Sequence, residues 1–326
     1  MDLSRFTEGD YIRTVDGLFF AVKGGRHSDE LAVATLRYIP DLKGERVLNG
    51  VRYRRVYDVD STTRYLAANF PSYINYIEWL GFRLQSVPHS RILEVYKPVK
   101  RLQAILDDPK ARLEARISEF VKALSAASGV STSFFGVSGS VLIGLDNEDS
   151  DIDLNVYGAR EGGKVYEALR RLRSEQEWIR PYDLVTIEPV YVSRWGGVDL
   201  GDLRVIECGK LLHGLVYGVD YFIRLLIDED KSESTPVCTV SISATVVDAS
   251  QSIYSPCTYK VSDVKTENSS SQYKILELKS YRGKFTELAQ TGDRIRARGT
   301  LEKVTREGYT FYRLILGGKG DFLVRV

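Results

Sequence analysis

Thiol and imidazole chemistry has little to work with in this 326-residue chain. Its three cysteines, Cys208, Cys238 and Cys257, are unevenly spaced and form no C-x-x-C pair. The three histidines, His27, His89 and His213, stand far from one another and from the cysteines. Such spacing argues against a zinc site and against a disulfide framework. No apolar run approaches the roughly 20 residues that span a bilayer. Met1-Asp2-Leu3-Ser4-Arg5 lacks the apolar core of a secretory signal. The expectation is a cytoplasmic protein with no membrane partner. An excess of one charge is also missing: 45 Lys and Arg face 44 Asp and Glu. Any surface suited to nucleic acid must therefore come from local segregation of charge. No internal repeat is visible.

What is present is a chain longer than one average domain, 43% hydrophobic, with ample material for more than one core. Residues 1–100 read as a β-rich domain. Leu18-Phe19-Phe20-Ala21-Val22 follows an Asp16-Gly17 turn, Leu31 to Leu36 is a buried-strand pattern, and Asn49-Gly50 marks a hairpin. Arg37, Arg52, Arg54 and Arg55, interleaved with Tyr38, Tyr53 and Tyr57, suit phosphate and base contacts but fit an exposed face better. Ser61 is placed to cap a helix ending near Asn69, and Pro71 to restart the chain for a second helix from Tyr73 to Leu80. A β-like segment from Arg91 to Tyr96 ends at Pro98. Pro109 suits the start of a longer helix whose Leu113, Ile117, Phe120, Val121 and Leu124 form one apolar stripe, stopped by Gly129.

Residues 101–230 read as an α+β core with a mixed sheet and helices. Its centre is Phe134-Phe135-Gly136-Val137-Ser138-Gly139-Ser140-Val141-Leu142-Ile143-Gly144: a short apolar strand, then a Gly-Ser turn that opens a helix. After an acidic loop comes Ser150-Asp151-Ile152-Asp153-Leu154-Asn155-Val156, a strand. Alternation puts Asp151 and Asp153 on one face, with Ile152, Leu154 and Val156 as apolar anchors. Lys164 to Arg173 is helical with a Val165, Leu169, Leu172 seam. Tyr182 to Val192 reads as a strand broken by Trp195-Gly196-Gly197, and Val219 to Asp228 as the last strand of this domain. Asp228 to Pro236 suits a linker. Residues 236–326 then carry five short strands with a polar loop at Thr266 to Gln272, the make-up of an OB-like β barrel.

Two carboxylates on one strand face can hold magnesium or manganese, and phosphoryl or nucleotidyl transfer needs such ions against substrate phosphates. Backbone N–H groups at Gly139 and Ser140 would meet a phosphate, with Gly139 permitting close approach. Asp-x-Asp alone is cheap: Asp58-Val59-Asp60, Asp149-Ser150-Asp151 and Asp228-Glu229-Asp230 also occur, each most simply a solvated turn or linker. The distinguishing feature is the combination of strand, Gly-Ser turn, acidic loop and carboxylate strand.

That combination resembles the signature of the DNA polymerase beta type nucleotidyltransferase superfamily, over about residues 110–228. The run from Asp10-Tyr11-Ile12 through Leu18 to Gly24, and on to Gly299-Thr300-Leu301-Glu302, resembles a family of predicted archaeal nucleotidyltransferases of similar length and layout. The resemblance implies a central mixed sheet, magnesium dependence, and transfer of a nucleoside monophosphate from a nucleoside triphosphate to an acceptor. By position, Gly139 and Ser140 match the phosphate-binding pair, and Asp151 and Asp153 the metal-binding carboxylates. Members usually place a third carboxylate on a later strand. Asp220, in Val219-Asp220-Tyr221-Phe222, is the first choice, with Asp199, Asp202 and Asp183 as alternatives. Many members carry Arg or Lys directly after Gly-Ser, where this chain has Val141-Leu142-Ile143; Lys164, Arg170 and Arg224 are the candidates to replace that charge.

In Asp293-Arg294-Ile295-Arg296-Ala297-Arg298-Gly299, alternation sets three arginines on one face. Aromatics near basic residues in Tyr281 to Phe285 and Tyr309 to Arg313 fit single-stranded nucleic acid, whereas cross-strand pairs to Glu302 or Glu307 would give a similar pattern. The leading expectation is a nucleotidyltransferase acting on an RNA or DNA hydroxyl, with a protein hydroxyl as the other acceptor. The rival expectations are a catalytically degenerate nucleotide- or nucleic-acid-binding protein of the same fold and a purely structural subunit. Oligomeric state is not legible.

Overall fold

The computed structural model describes residues 6–79, 82–228, 232–267 and 273–326. The chain divides into two compact units, Met1–Val156 and Tyr157–Val326, and is mixed α and β throughout. Among the described residues no helix is long and apolar enough to cross a membrane.

In the first unit, β1 (Tyr11–Thr14), β2 (Phe19–Val22), β3 (Leu31–Pro40), β4 (Arg46–Leu48) and β5 (Val51–Arg55) precede α1 (Val59–Asn69), and β6 (Ile74–Ile77), β7 (Phe82–Pro88) and β8 (Ile92–Tyr96) follow it. They pair in the order β4-β5-β3-β2-β1-β8, with β7 pairing both β3 and β6. Asn49 and Gly50 both have positive φ, 49° and 80°, which matches the twist of the β4–β5 hairpin they close. At its centre, in β2, this sheet is buried on both faces. Phe20, Val22 and Leu36 pack with Leu66 of α1, whereas Tyr11, Phe19, Tyr38 and Tyr53 pack with Leu142, Ile143 and Leu145.

Two local expectations change here. Asp58, not Ser61, caps α1: its carboxylate accepts the Ser61 N–H at 2.7 Å. The segment after Pro71 makes one 3-10 turn, Pro71–Tyr73, and then joins β6, because the aromatic and β-branched run from Ile74 to Ile77 finds a partner in β7. The expected end of that helix, Leu80, lies outside the described residues. Beyond the sheet, α2 (Pro98–Asp107) starts with proline in its first turn, and α3 (Arg112–Ser128) buries Ile117, Phe120, Val121 and Leu124 before Gly129 ends it at φ 68°. Then come β9 (Phe135–Val137), α4 (Gly139–Ile143) and β10 (Ile152–Tyr157).

The second unit opens on α5 (Ala159–Glu175), which takes Gly162 and Gly163 into its body. A Cβ at Gly162 would press on Leu225 and Tyr254, so the glycine lets the helix lie close to its neighbours. Next are β11 (Ile179–Arg180), α6 (Glu188–Trp195), α7 (Leu203–Gly209), β12 (His213–Val216) and β13 (Val219–Leu226). The strand expected over Tyr182 to Val192 is instead a turn that leads into a helix. Pro189 sits in the first turn of α6, Tyr191 and Trp195 share its buried face, and Gly196 at φ 70° stops it.

The remaining strands are β14 (Glu233–Asp248), β15 (Tyr254–Ser255), β16 (Cys257–Thr266), β17 (Ile275–Ser280), β18 (Arg294–Arg306), β19 (Tyr309–Leu316) and β20 (Phe322–Arg325). β14 pairs with both β16 and β18, so β14-β16-β17-β19-β18 closes on itself, with β17 and β19 parallel. β20 adds a sixth strand beside β18. Pro236 is inside β14, opposite Glu302, rather than in a linker. Residues 229–231 of that expected linker, and 268–272 of the expected polar loop, lie outside the described residues. The ring's core, with Ile242, Leu278, Leu301 and Leu314, is continuous with Tyr191, Trp195, Leu203 and Ile206 of α6 and α7.

A buried charge cluster stitches these elements together. Glu207 is fully buried and meets Lys210 at 2.5 Å and Arg194 at 2.9 Å. His213 donates from Nε2 to the Glu207 carbonyl at 2.7 Å and accepts from Arg194 at Nδ1, which is the neutral tautomer. Burial would raise the Glu207 carboxyl, but the Lys210 and Arg194 charges outweigh it and hold it at about 2. Burial and the Arg194 charge push His213 well below its ordinary value. Lys210 also donates to the Lys284 carbonyl at 2.8 Å, and Glu287 accepts the Leu211 and Leu212 N–H groups.

Candidate functional site

β9 and β10 run antiparallel with Val137 opposite Leu154 and Phe135 opposite Val156. Ile152, Leu154 and Val156 are wholly buried, so alternation turns Asp151 and Asp153 to the other, half-exposed face. The Ser138 N–H donates to the Asp153 carbonyl at 2.8 Å, which brings the turn after β9 alongside the carboxylate strand.

Gly139 has φ 63°. A Cβ there would collide with Asp153 Oδ2 and stand 3.1 Å from its Cγ and 3.3 Å from its Cβ. Glycine is thus required twice, by the left-handed backbone and by the carboxylate lying against it. Gly144 at φ 69° ends the helical turn, and the Leu145 N–H returns to the Ser140 carbonyl at 3.0 Å.

The acidic loop is tied down by hydroxyls. Ser150 Oγ accepts the Asn147 N–H at 2.9 Å and lies 3.3 Å from the Ser140 hydroxyl. Ser138 Oγ donates to the Gly9 carbonyl at 3.3 Å. Arg46, at the start of β4, completes the set: its Nη1 donates to the Leu145 carbonyl at 2.6 Å and to Ser150 Oγ at 2.9 Å. Tyr38, on β3, lies within electrostatic reach of Arg55, Arg46, Asp151 and Asp153; burial, the largest influence, raises its hydroxyl.

Gly139, Ser140, Asp151 and Asp153 therefore come together within the first unit. Asp220 stands in the second unit on β13, opposite Leu215, and its carboxylate accepts the Tyr182 hydroxyl at 2.6 Å. Asp183 accepts the Val185 and Thr186 N–H groups, and Asp199 the Gly201 N–H, as turn residues do. Among the described residues no group of three or more His, Cys, Asp and Glu is gathered to hold a metal ion. The pair Asp151 and Asp153, with hard oxygens on one strand face beside a close-approach glycine, fits magnesium, which is commonly held by one or two carboxylates and completed by substrate phosphates and water.

Sequence reasoning missed Arg46 and passed over Tyr38 as one of several face residues. The available signal was register: across the Asn49-Gly50 hairpin Arg46 falls opposite the buried Tyr53, so its side chain points inward. Of the cations considered instead, Arg170 pairs with Glu167 at 3.4 Å within its own helix.

Comparison with known proteins bears on the same region. Residues 116–199 match the nucleotidyltransferase domain family, a span that holds α4, the acidic loop and both carboxylates. Across the whole length, the chain is similar to an uncharacterized protein of Methanocaldococcus jannaschii, 26% identical over 330 residues and covering 94% of each chain. No solved structure matches.

Proposed function

We propose that this protein is a magnesium- or manganese-dependent nucleotidyltransferase that moves a nucleoside monophosphate from a nucleoside triphosphate to an acceptor hydroxyl on nucleic acid. The observation that carries the reading is the packing of the Gly139 turn directly against Asp153, inside the span matched by the nucleotidyltransferase domain family.

Asp151 and Asp153 would hold the metal, with substrate phosphates and water completing its shell. The bound metal would supply positive charge to the triphosphate and to the attacking oxygen. Gly139 keeps the backbone bare where phosphate oxygens approach, and Ser140, its hydroxyl turned to Ser150, offers its N–H. The acceptor hydroxyl gives its proton to water as its oxygen bonds to the α-phosphorus, the bridge to the β-phosphate breaks, and pyrophosphate leaves with the electron pair.

The nucleic-acid acceptor rests on the C-terminal ring, proposed as an OB-type barrel. Its strand order, with one parallel pair among antiparallel neighbours, supports that assignment. Arg294 and Arg296 are exposed on β18, Tyr309 and Phe311 stack at 6.2 Å, and Lys274 lies over Tyr309. Such rings beside cations suit unpaired bases. Arg296 also pairs with Glu267 at 2.9 Å, which would have to open for a phosphate.

The test is incubation of the protein with each labelled nucleoside triphosphate, magnesium or manganese, and pools of RNA, DNA and protein acceptors. Label should move to nucleic acid, and an Asp151→Ala/Asp153→Ala double variant should abolish the transfer. Absence of transfer, or its survival in the double variant, would sink the enzyme reading. Retained salt-sensitive nucleic-acid binding would then favour a non-catalytic binding protein.

A further inference from the structure

We propose that the N-terminal sheet supplies the phosphate-gripping groups of this site: Arg46 as the cation and Tyr38 as a hydroxyl donor for the triphosphate of the substrate. The inference rests on the nucleotidyl-transfer reading and names residues that the match to residues 116–199 does not reach.

Arg46 is only 8% exposed, yet it has no ion-pair partner among the described residues. Its two hydrogen bonds go to neutral acceptors, the Leu145 carbonyl and the Ser150 hydroxyl, both through Nη1. Its other guanidinium nitrogens donate to no protein acceptor among the described residues. A buried arginine is ordinarily paired, because its charge is costly to take from water. A guanidinium held by one nitrogen and left with donors to spare is set for an anion, and its planar fork suits phosphate.

Tyr38 adds an independent observation. Its side chain is 1% exposed, and its hydroxyl makes no hydrogen bond among the described residues. A buried phenol normally finds a partner. Its electrostatic neighbours are Arg55, Arg46, Asp151 and Asp153, so it shares their surroundings.

The apolar residues after the Gly-Ser turn then have a reason. Leu142 and Ile143 pack with Phe19, Tyr38 and Tyr53, so they dock α4 on the sheet that carries Arg46. A cation cannot stand at those positions without losing the docking, and the charge arrives from β4 instead.

Calorimetry of the full chain with the magnesium complexes of ATP, GTP, CTP and UTP, and of the matching monophosphates, tests this. For the tightest triphosphate, Arg46→Gln should weaken binding about 10- to 100-fold, as for loss of a charged hydrogen bond. Arg46→Lys and Tyr38→Phe should weaken it by roughly 3- to 10-fold. Monophosphate binding should change less than twofold in all three. Should Arg46→Gln fail to fold by circular dichroism, the two conservative variants decide. Unchanged triphosphate affinity in the folded variants overturns the assignment of Arg46 and Tyr38 alone. Equal weakening of mono- and triphosphate also overturns it, since that marks a purely structural clamp. If the wild-type protein binds no triphosphate, the nucleotidyl-transfer reading falls with it.

Discussion

At Gly139 a single hydrogen does the work that no side chain can. Replacing it with alanine imposes a methyl on a left-handed residue, a strain of roughly 1–2 kcal/mol, and pushes on the Asp153 carboxylate. Gly139→Ala should therefore lower stability modestly while weakening metal and triphosphate binding far more. Paired thermal melts and calorimetry would expose the split; a melt depressed in proportion to binding would mean that the glycine serves only the fold. Residues of this kind were legible in the sequence because the turn, the loop and the carboxylates are neighbours along the chain. Arg46 was not: it meets Leu145 across 99 positions, and nothing in the local pattern around Arg46 announces a partner so far away.

At the scale of elements, α4 is five residues long and cannot persist by itself. It is held by burial: Val141, Leu142 and Ile143 are at most 3% exposed. Truncating Ile143 to alanine should cost about 2–5 kcal/mol, the range for a buried aliphatic in a core that does not collapse. Urea unfolding would measure it, and a loss below 1 kcal/mol would mean that α4 is not anchored by this contact. Element types were read correctly where periodicity and punctuation agreed, as in α3 with its stripe and Gly129, or β10 with its alternation. They were misread where a short apolar run suited two periods. Tyr182 to Val192 has strand-like composition, yet Pro189 and the Tyr191–Trp195 spacing decide for helix once the C-terminal core is there to receive it. Likewise Ile74 to Ile77 became a strand because β7 was available to pair with it.

For the molecule as a whole, the cluster around Glu207 sets a pH dependence. His213 stays neutral when folded and protonates near pH 6.5 when unfolded, so the unfolded state binds more protons and stability falls as pH drops below about 6.5. Glu207 adds stability that is complete above its unfolded value, about 4.5, and is lost as pH falls toward about 2. His213→Gln should flatten the upper part of the curve of unfolding free energy against pH. Glu207→Gln should cost about 3–5 kcal/mol at neutral pH by leaving Lys210 and Arg194 buried without their counter-charge. Chemical denaturation across pH 4 to 8 would check both, and an unaltered slope in His213→Gln would remove the histidine from the account. None of this was legible in the sequence, where His213 and Lys210 look like isolated polar residues and only the packing of α6, α7 and β12 brings them to Glu207.

The distance along the chain between β4 and the carboxylate loop has a kinetic meaning. During synthesis the Arg46 hairpin is complete about a hundred residues before Leu145 is made, and Phe19, Tyr38 and Tyr53 wait with one face bare. Closing so long a loop is slow compared with forming a hairpin. The site should thus be among the last features to mature: in refolding from denaturant, triphosphate binding should recover with the slowest major phase, after most of the β-sheet signal has returned. Binding that recovers in an early phase would show instead that β9, α4 and β10 assemble without the sheet.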